Sequence, residues 1–149
     1  MLALPSSVQI TNGGGTQTAY TKYAYDGTGV VSSGVSTQHV SSPYGTARGN
    51  QTSMQRWLNT NTVSTQNCST TIGTGGYAVT NATIFDTGVA NVTTDPCGHT
   101  TTKLYSSTYA GAYPTTVTNA LGQSTTYGYD FDTGRMTSSK AVSYTHLDV

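Results

Sequence analysis

Asn119–Ser138, NALGQSTTYGYDFDTGRMTS, joins two turn signals to a tyrosine-rich strand pattern. Asn119-Ala120-Leu121-Gly122 opens with an Asx residue, whose side chain can bond its own backbone, and places glycine three residues on, as a type I turn prefers. The strand that follows starts at the threonines. Tyr127 and Tyr129 are two residues apart, so in a strand both rings leave the same face. Asp130 to Gly134 then supplies a second reversal, with Asp to bond its own backbone and Gly to take positive φ, and Arg135-Met136-Thr137-Ser138 begins a return strand. The stretch therefore predicts an antiparallel β-hairpin.

The same pattern recurs. In Thr21–Ser32, TKYAYDGTGVVS, residues Thr21, Tyr23, Tyr25 and Asp26 match Thr125, Tyr127, Tyr129 and Asp130, and Gly29 matches Gly134 after one inserted residue. At an offset of 24, Asp95-Pro96-Cys97-Gly98 falls on Asn119 to Gly122, with Gly98, Thr101, Thr102 and Tyr105 identical to Gly122, Thr125, Thr126 and Tyr129. Degenerate copies stand at Phe85-Asp86-Thr87-Gly88, read with Phe in place of Tyr, and at Tyr44–Ser53, where Tyr-Asp has become Tyr-Gly. Gly13-Gly14-Gly15 reads as a turn between Val8–Thr11 and Thr16–Tyr25. Leu58–Ala78 is polar and Gly-rich, and predicts weakly defined strands joined by a long loop. The expected fold is all-β: antiparallel hairpin repeats in a twisted or spiralling sheet over residues 1–141, clearest at 20–32 and 95–138.

Composition agrees. Only 34% of the chain is hydrophobic and 8% charged, Glu is absent, and the 11 Tyr sit among abundant Thr and Val, which suit pleated, half-buried surfaces. Helix formers are scarce. Formal net charge is zero, with Lys22, Arg48, Arg56, Lys103, Arg135 and Lys140 scattered, so neither nucleic acid nor an anionic membrane is an expected partner. No apolar run reaches transmembrane length, and MLALPSSVQI lacks the basic and apolar regions of an export signal. A Thr/Ser/Asn/Tyr-rich, charge-poor surface points to a secreted β-protein whose reading frame extends beyond Met1.

Cys68 and Cys97 allow one intramolecular disulfide, or two buried thiols. Asp26, Asp86 and Asp130 occupy turn positions and read as turn-formers rather than as acids or bases. Paired-carboxylate hydrolysis lacks a second acid in a separate environment. Zinc on His39, His99, Cys68 and Cys97 would lack the paired Cys-x2-Cys spacing of structural sites, and no GxSxG elbow accompanies a Ser-His-Asp arrangement. The glycine run lacks the lysine and helix of a phosphate loop. No enzyme activity, cofactor or metal is expected. Trp57 with the tyrosine rows could stack on sugars at an exposed sheet face, against the plainer reading of packing within the sheet. The sequons at Asn50, Asn67, Asn81 and Asn91 carry meaning only in a glycosylating host.

With these motifs in place, the chain resembles the YD-repeat, or Rhs, proteins. Their unit runs from a Gly-containing turn through Thr and Tyr-x-Tyr-Asp to a second turn with Gly-Arg or Gly-Asn, then an apolar residue and Thr-Ser. Thr125–Asp130 with Gly134–Ser138 matches this closely, and Arg48-Gly49-Asn50-Gln51-Thr52-Ser53 matches it partly. The resemblance implies a structural role for Tyr23, Tyr25, Asp26, Gly29, Gly98, Tyr105, Gly122, Tyr127, Tyr129, Asp130, Gly134 and Arg135: a segment of a hollow β-shell around a C-terminal effector or toxin domain. Its expected partners are further repeats and that domain, with surface glycans as an alternative. Asp95-Pro96 is read as a turn rather than as a self-cleavage site, because the aligned Asn119-Ala120 lacks both residues. Residues 142–149, ending in VSYTHLDV, break the pattern, resemble a translated adapter tail and are set aside as non-native, the alternative being an ordinary last strand.

Overall fold

The computed structural model describes residues 3–36, 47–58 and 76–142. Among these residues nine strands follow the chain: β1 Ser7–Thr11, β2 Gln17–Tyr25, β3 Gln51–Trp57, β4 Tyr77–Ile84, β5 Ala90–Thr94, β6 Thr100–Tyr105, β7 Pro114–Thr118, β8 Ser124–Tyr129 and β9 Met136–Val142. They form one sheet in sequence order, each antiparallel to the next. The expected all-β antiparallel fold is the one observed, and a 3-10 turn at Ser107–Tyr109 is the only helical element among the described residues. β9 takes in Val142, the first residue assigned to the tail, and 143–149 lie outside the described residues.

The turns alternate between two ends of the sheet. At one end, the β1–β2, β5–β6 and β7–β8 connections are the same loop. Asn12, Asp95 and Asn119 each accept from the backbone N–H groups two and four residues ahead, at 2.8–3.0 Å. Each loop also closes with a glycine N–H on the Asx carbonyl, and Gly15, Gly98 and Gly122 all take positive φ. This is the three-residue hairpin loop in which a type I turn is completed by a left-handed residue. Glycine adopts that conformation without the Cβ penalty, which is why the sequence places it three residues after each Asx.

The offset of 24 carries through to strand bounds. β7 begins 24 residues after β5 and β8 begins 24 after β6, with equal lengths. The register is common too. Thr94 pairs with Thr100 as Thr118 pairs with Ser124, each pair flanking its Asx loop.

The packed part of the molecule is small. Among the described residues only Val35, Ile84 and Phe85 are buried hydrophobics, and none of the larger side chains is fully enclosed. This follows from a single layer: among the described residues the sheet has no second layer, which leaves one side of every strand to solvent unless loops fold over it. Here they do so at the opposite end, where the loops after β2, β4, β6 and β8 gather.

Candidate functional site

At that end the strand pairs share one distortion. Between β2 and β3, Ala24 faces Ser53 but Tyr25 faces Gln51, so Thr52 is an extra, bulged residue. Asn91, Thr115 and Thr137 are bulged in the same way opposite Thr83-Ile84, Leu104-Tyr105 and Gly128-Tyr129. A bulge leaves ladder groups unpaired and sharpens the local twist. The side chains make up the loss: Thr52 and Thr115 donate their hydroxyls to the carbonyls of Ala24 and Leu104, at 3.4 and 3.3 Å.

The tyrosine just before each turn does a second job. Tyr25 donates its hydroxyl to the Pro5 carbonyl (3.0 Å), Tyr105 to Ala90 (3.1 Å) and Tyr129 to Pro114 (3.0 Å). Each phenol reaches back across the preceding strand, Tyr105 and Tyr129 to the residue that begins it and Tyr25 to a residue two positions ahead of β1. Pro114 suits this place, since a strand entry needs no N–H from the residue that begins it. The acceptors at Ala90 and Pro114 stand 24 residues apart, as do their tyrosines.

Asp26 and Asp130 hold the turns. The Asp130 carboxylate accepts from the backbone N–H and the hydroxyl of Thr133 (2.9 and 2.7 Å), bonds that keep it below the usual carboxylate range. Asp26, at φ 53°, accepts instead from the N–H groups of Gly49 (2.7 Å) and Asn50 (3.0 Å). Its own N–H donates to the Asn50 carbonyl, as that of Asp130 donates to Arg135. The counterpart of Gly134-Arg135-Met136-Thr137-Ser138 is thus Gly49-Asn50-Gln51-Thr52-Ser53, on the far side of a long insertion.

This corrects two sequence readings. Gly29, paired with Gly134 by alignment, has ordinary φ and open space around it, whereas Gly49 (φ 77°) shares the left-handed geometry of Gly134 (φ 67°). The alignment failed because a local comparison cannot bridge an insertion. In the degenerate copy Phe85 does not replace the tyrosine: the bulge faces Ile84, and Phe85 takes the aspartate's place, its N–H donating to Val89 and its carbonyl accepting from Gly88. Residues 44–46 of the copy at Tyr44–Ser53 lie outside the described residues.

Aromatic rings fill the space beneath these turns. Tyr129 stacks on Tyr113 with centroids 4.9 Å apart and meets the edge of Tyr109 at 5.6 Å, while the Tyr109 hydroxyl accepts from the Tyr129 N–H. Phe85 meets Tyr105 edge-on at 5.8 Å. Burial pushes the Tyr105 and Tyr129 phenols up, with neighbouring tyrosines adding to it. Tyr109 and Tyr113 belong to no repeated motif, and only their chain position between β6 and β7 brings them here. Tyr23 and Tyr127 lie mid-strand, each two residues before its turn tyrosine and on the same face. Arg135 serves through its backbone, its N–H donating to the Thr133 hydroxyl.

A second aromatic group lies toward the other end. Lys22 pairs with Gln55 across β2 and β3 and Trp57 with Tyr77 across β3 and β4, so alternation puts Tyr20, Lys22, Gln55, Trp57 and Tyr77 on one face. The Lys22 ammonium sits 4.4 Å from the Tyr77 ring centroid and 5.6 Å from that of Tyr20. Beside it, Ala24, Ser53, Asn81, Thr83 and Thr94 line a groove of 240 Å³.

Asp95, Cys97 and His99 carry potential metal-ligating atoms within 4.8 Å of one another. These atoms are already engaged. Cys97 is in a disulfide, so its sulfur is no thiolate, and the Asp95 carboxylate meets the His99 imidazole at 2.9 Å. Cys68, the sequence's partner for Cys97, and His39 lie outside the described residues. Replacing Cys97 with serine is expected to cost about 2–4 kcal/mol, the usual worth of a constrained loop, read as a lower urea midpoint. An unchanged midpoint would show that the bond adds no stability.

The His99 side-chain contact holds the Asp95 carboxyl below its ordinary value against the opposing effect of desolvation, with the backbone N–H groups of His99 and Cys97 adding to the lowering. A depressed folded pKa contributes stability above the unfolded value, lost as pH falls through the folded one. Acidification below pH 3.8 should therefore open the β5–β6 loop, seen as faster amide exchange at Cys97 and His99. Asp95→Asn, which copies Asn119, should abolish that acid response; an equal response in the variant would refute the assignment.

Comparison with protein-family models and with curated proteins yields no match.

Proposed function

We propose that this chain is a non-catalytic wall segment of a secreted or cell-envelope β-shell of the YD-repeat kind, enclosing or presenting an effector domain carried elsewhere on the full-length protein. The observation that carries this reading is the periodic hairpin ladder: the same Asx loop, the same bulge and the same tyrosine-to-carbonyl bond recur along one sheet, with one copy of each standing 24 residues after another. Units that stack by strand pairing and bury little on their own need neighbours on both sides. Among the described residues, β1 and β9 are the two edges of the sheet and offer themselves to such neighbours. The chemistry-bearing side chains are engaged in structure: Asp26, Asp95 and Asp130 close turns, and the turn tyrosines bond backbone carbonyls. Sequencing the gene on both sides is the test. Further Tyr-Asp units followed by a divergent C-terminal segment are expected, and a reading frame that closes without any would overturn the proposal.

The Tyr20–Lys22–Trp57–Tyr77 face favours a second reading, a module that binds cell-surface carbohydrate by stacking. Glycan-array binding lost in Trp57→Ala with the fold intact would support it; no binding by the intact chain would dismiss it.

A further inference from the structure

The three Asx loops are chemically unequal. In the β1–β2 loop, Asn12 is followed by Gly13, and both are exposed. The Asn12 Oδ1 accepts from the N–H groups of Gly14 (3.0 Å) and Thr16 (2.9 Å), while its Nδ2 has no partner among the described residues. Nothing approaches the place a Cβ would take on Gly13. Asn119 holds its Oδ1 in the same way, on Leu121 and Gln123, but its Nδ2 donates to Gln123 Oε1 at 2.8 Å and the next residue is Ala120.

We infer that Asn12 is a site of spontaneous deamidation in the folded chain, promoted by the loop that Asn12 itself closes. The Gly13 backbone nitrogen gives its proton to hydroxide and bonds to Asn12 Cγ. Negative charge then develops on Oδ1, where two backbone N–H groups already stand within the 2.7–3.1 Å range of an oxyanion site. Water protonates Nδ2 and so regenerates the hydroxide, the Cγ–Nδ2 bond breaks and Nδ2 leaves as ammonia, with no hydrogen bond among the described residues to hold it. The resulting five-membered imide is opened by water at one carbonyl or the other, giving aspartate or isoaspartate. The balance is one water in and one ammonia out, with no change of oxidation state.

The aspartate product fits the loop, because Asp95 already fills the equivalent place with bonds to Cys97 and His99. Isoaspartate does not fit: it adds a carbon to the backbone and moves the acceptor oxygen out of reach of the Gly14 and Thr16 N–H groups. β1 is an edge strand of five exposed residues that pairs, among the described residues, with β2 alone, so that product frees one border of the sheet. Either product places a negative charge on a chain of formal net charge zero.

The test is incubation of the intact chain at mildly alkaline pH, with peptide mass spectrometry at Asn12 and Asn119. Asn12 should convert roughly tenfold faster than Asn119, a difference of about 1.4 kcal/mol in barrier. It should convert at least as fast in the folded chain as in urea, and Gly13→Ala should remove the difference between the two sites. Asn12→Asp should keep the fold and its urea midpoint. Equal rates at the two asparagines, or faster conversion in urea than in the folded chain, would overturn the inference.

Discussion

Replacing Gly134 with alanine is expected to destabilise the fold by about 2–4 kcal/mol, while the same change at Gly29 leaves it within about 1 kcal/mol of the parent. At Gly134 two costs add. Its φ of 67° is left-handed, which charges an L-residue about 1–2 kcal/mol. A Cβ there would also collide with the Tyr113 ring and hydroxyl, and that ring is stacked on Tyr129 and cannot retreat without breaking the aromatic group. Gly29 has neither constraint. Gly49→Ala should behave like Gly134→Ala, since φ is 77° and the new Cβ would lie 2.9 Å from Leu4 Cδ1. Urea denaturation followed by far-UV circular dichroism gives the ranking. Equal midpoints for Gly29→Ala and Gly134→Ala would refute the assignment of Gly49, rather than Gly29, as the structural partner of Gly134.

Tyr129→Ala should cost about 3 kcal/mol, near the lower end for an aromatic-to-alanine change because the residue is half-buried. Three interactions go together: the stack on Tyr113, the edge contact with Tyr109, and the hydroxyl bond to the Pro114 carbonyl. Tyr129→Phe isolates the last of these and should cost about 1 kcal/mol, the net worth of one hydrogen bond. The same modest loss is expected for Tyr105→Phe, whose bond to Ala90 occupies the equivalent place. If Tyr129→Phe proved as damaging as Tyr129→Ala, the ring packing would be incidental and the hydroxyl would carry the repeat. If it cost nothing, the recurring tyrosine-to-carbonyl bond would have no structural weight.

Much of the fold was legible because its signals are local. Asn119 to Gly122 specifies its turn within four residues, since an Asx side chain bonds backbone only a few positions ahead and only glycine takes the left-handed place without strain. The Tyr-x-Tyr alternation gives the strand face by the same short-range logic. The bulges were not legible. Thr52, Thr115 and Thr137 look like any other threonines in a Thr-rich chain, and a bulge exists only once a partner strand has one residue fewer.

The candidate site divides along the same line. Tyr25, Asp26, Tyr105, Tyr129, Asp130 and Gly134 were marked by repetition, but the sequence could not show what the phenols bond. Their acceptors, Pro5, Ala90 and Pro114, lie 15 or 20 residues back and carry no distinguishing side chain. Tyr109 and Tyr113 gave no signal either, because nothing in the chain repeats them.

By itself, then, the sequence determined an antiparallel β-chain punctuated by Asx-Gly loops, with tyrosines placed just before its turns, because turn chemistry and strand alternation act within a few residues. Only the tertiary structure decided that Gly49 rather than Gly29 completes the turn that Asp26 opens, that Phe85 stands where an aspartate would, and that the aromatic group gathers at one end of the sheet. Those outcomes depend on which strands lie side by side, and strand neighbours are set by pairing across the sheet rather than by distance along the chain.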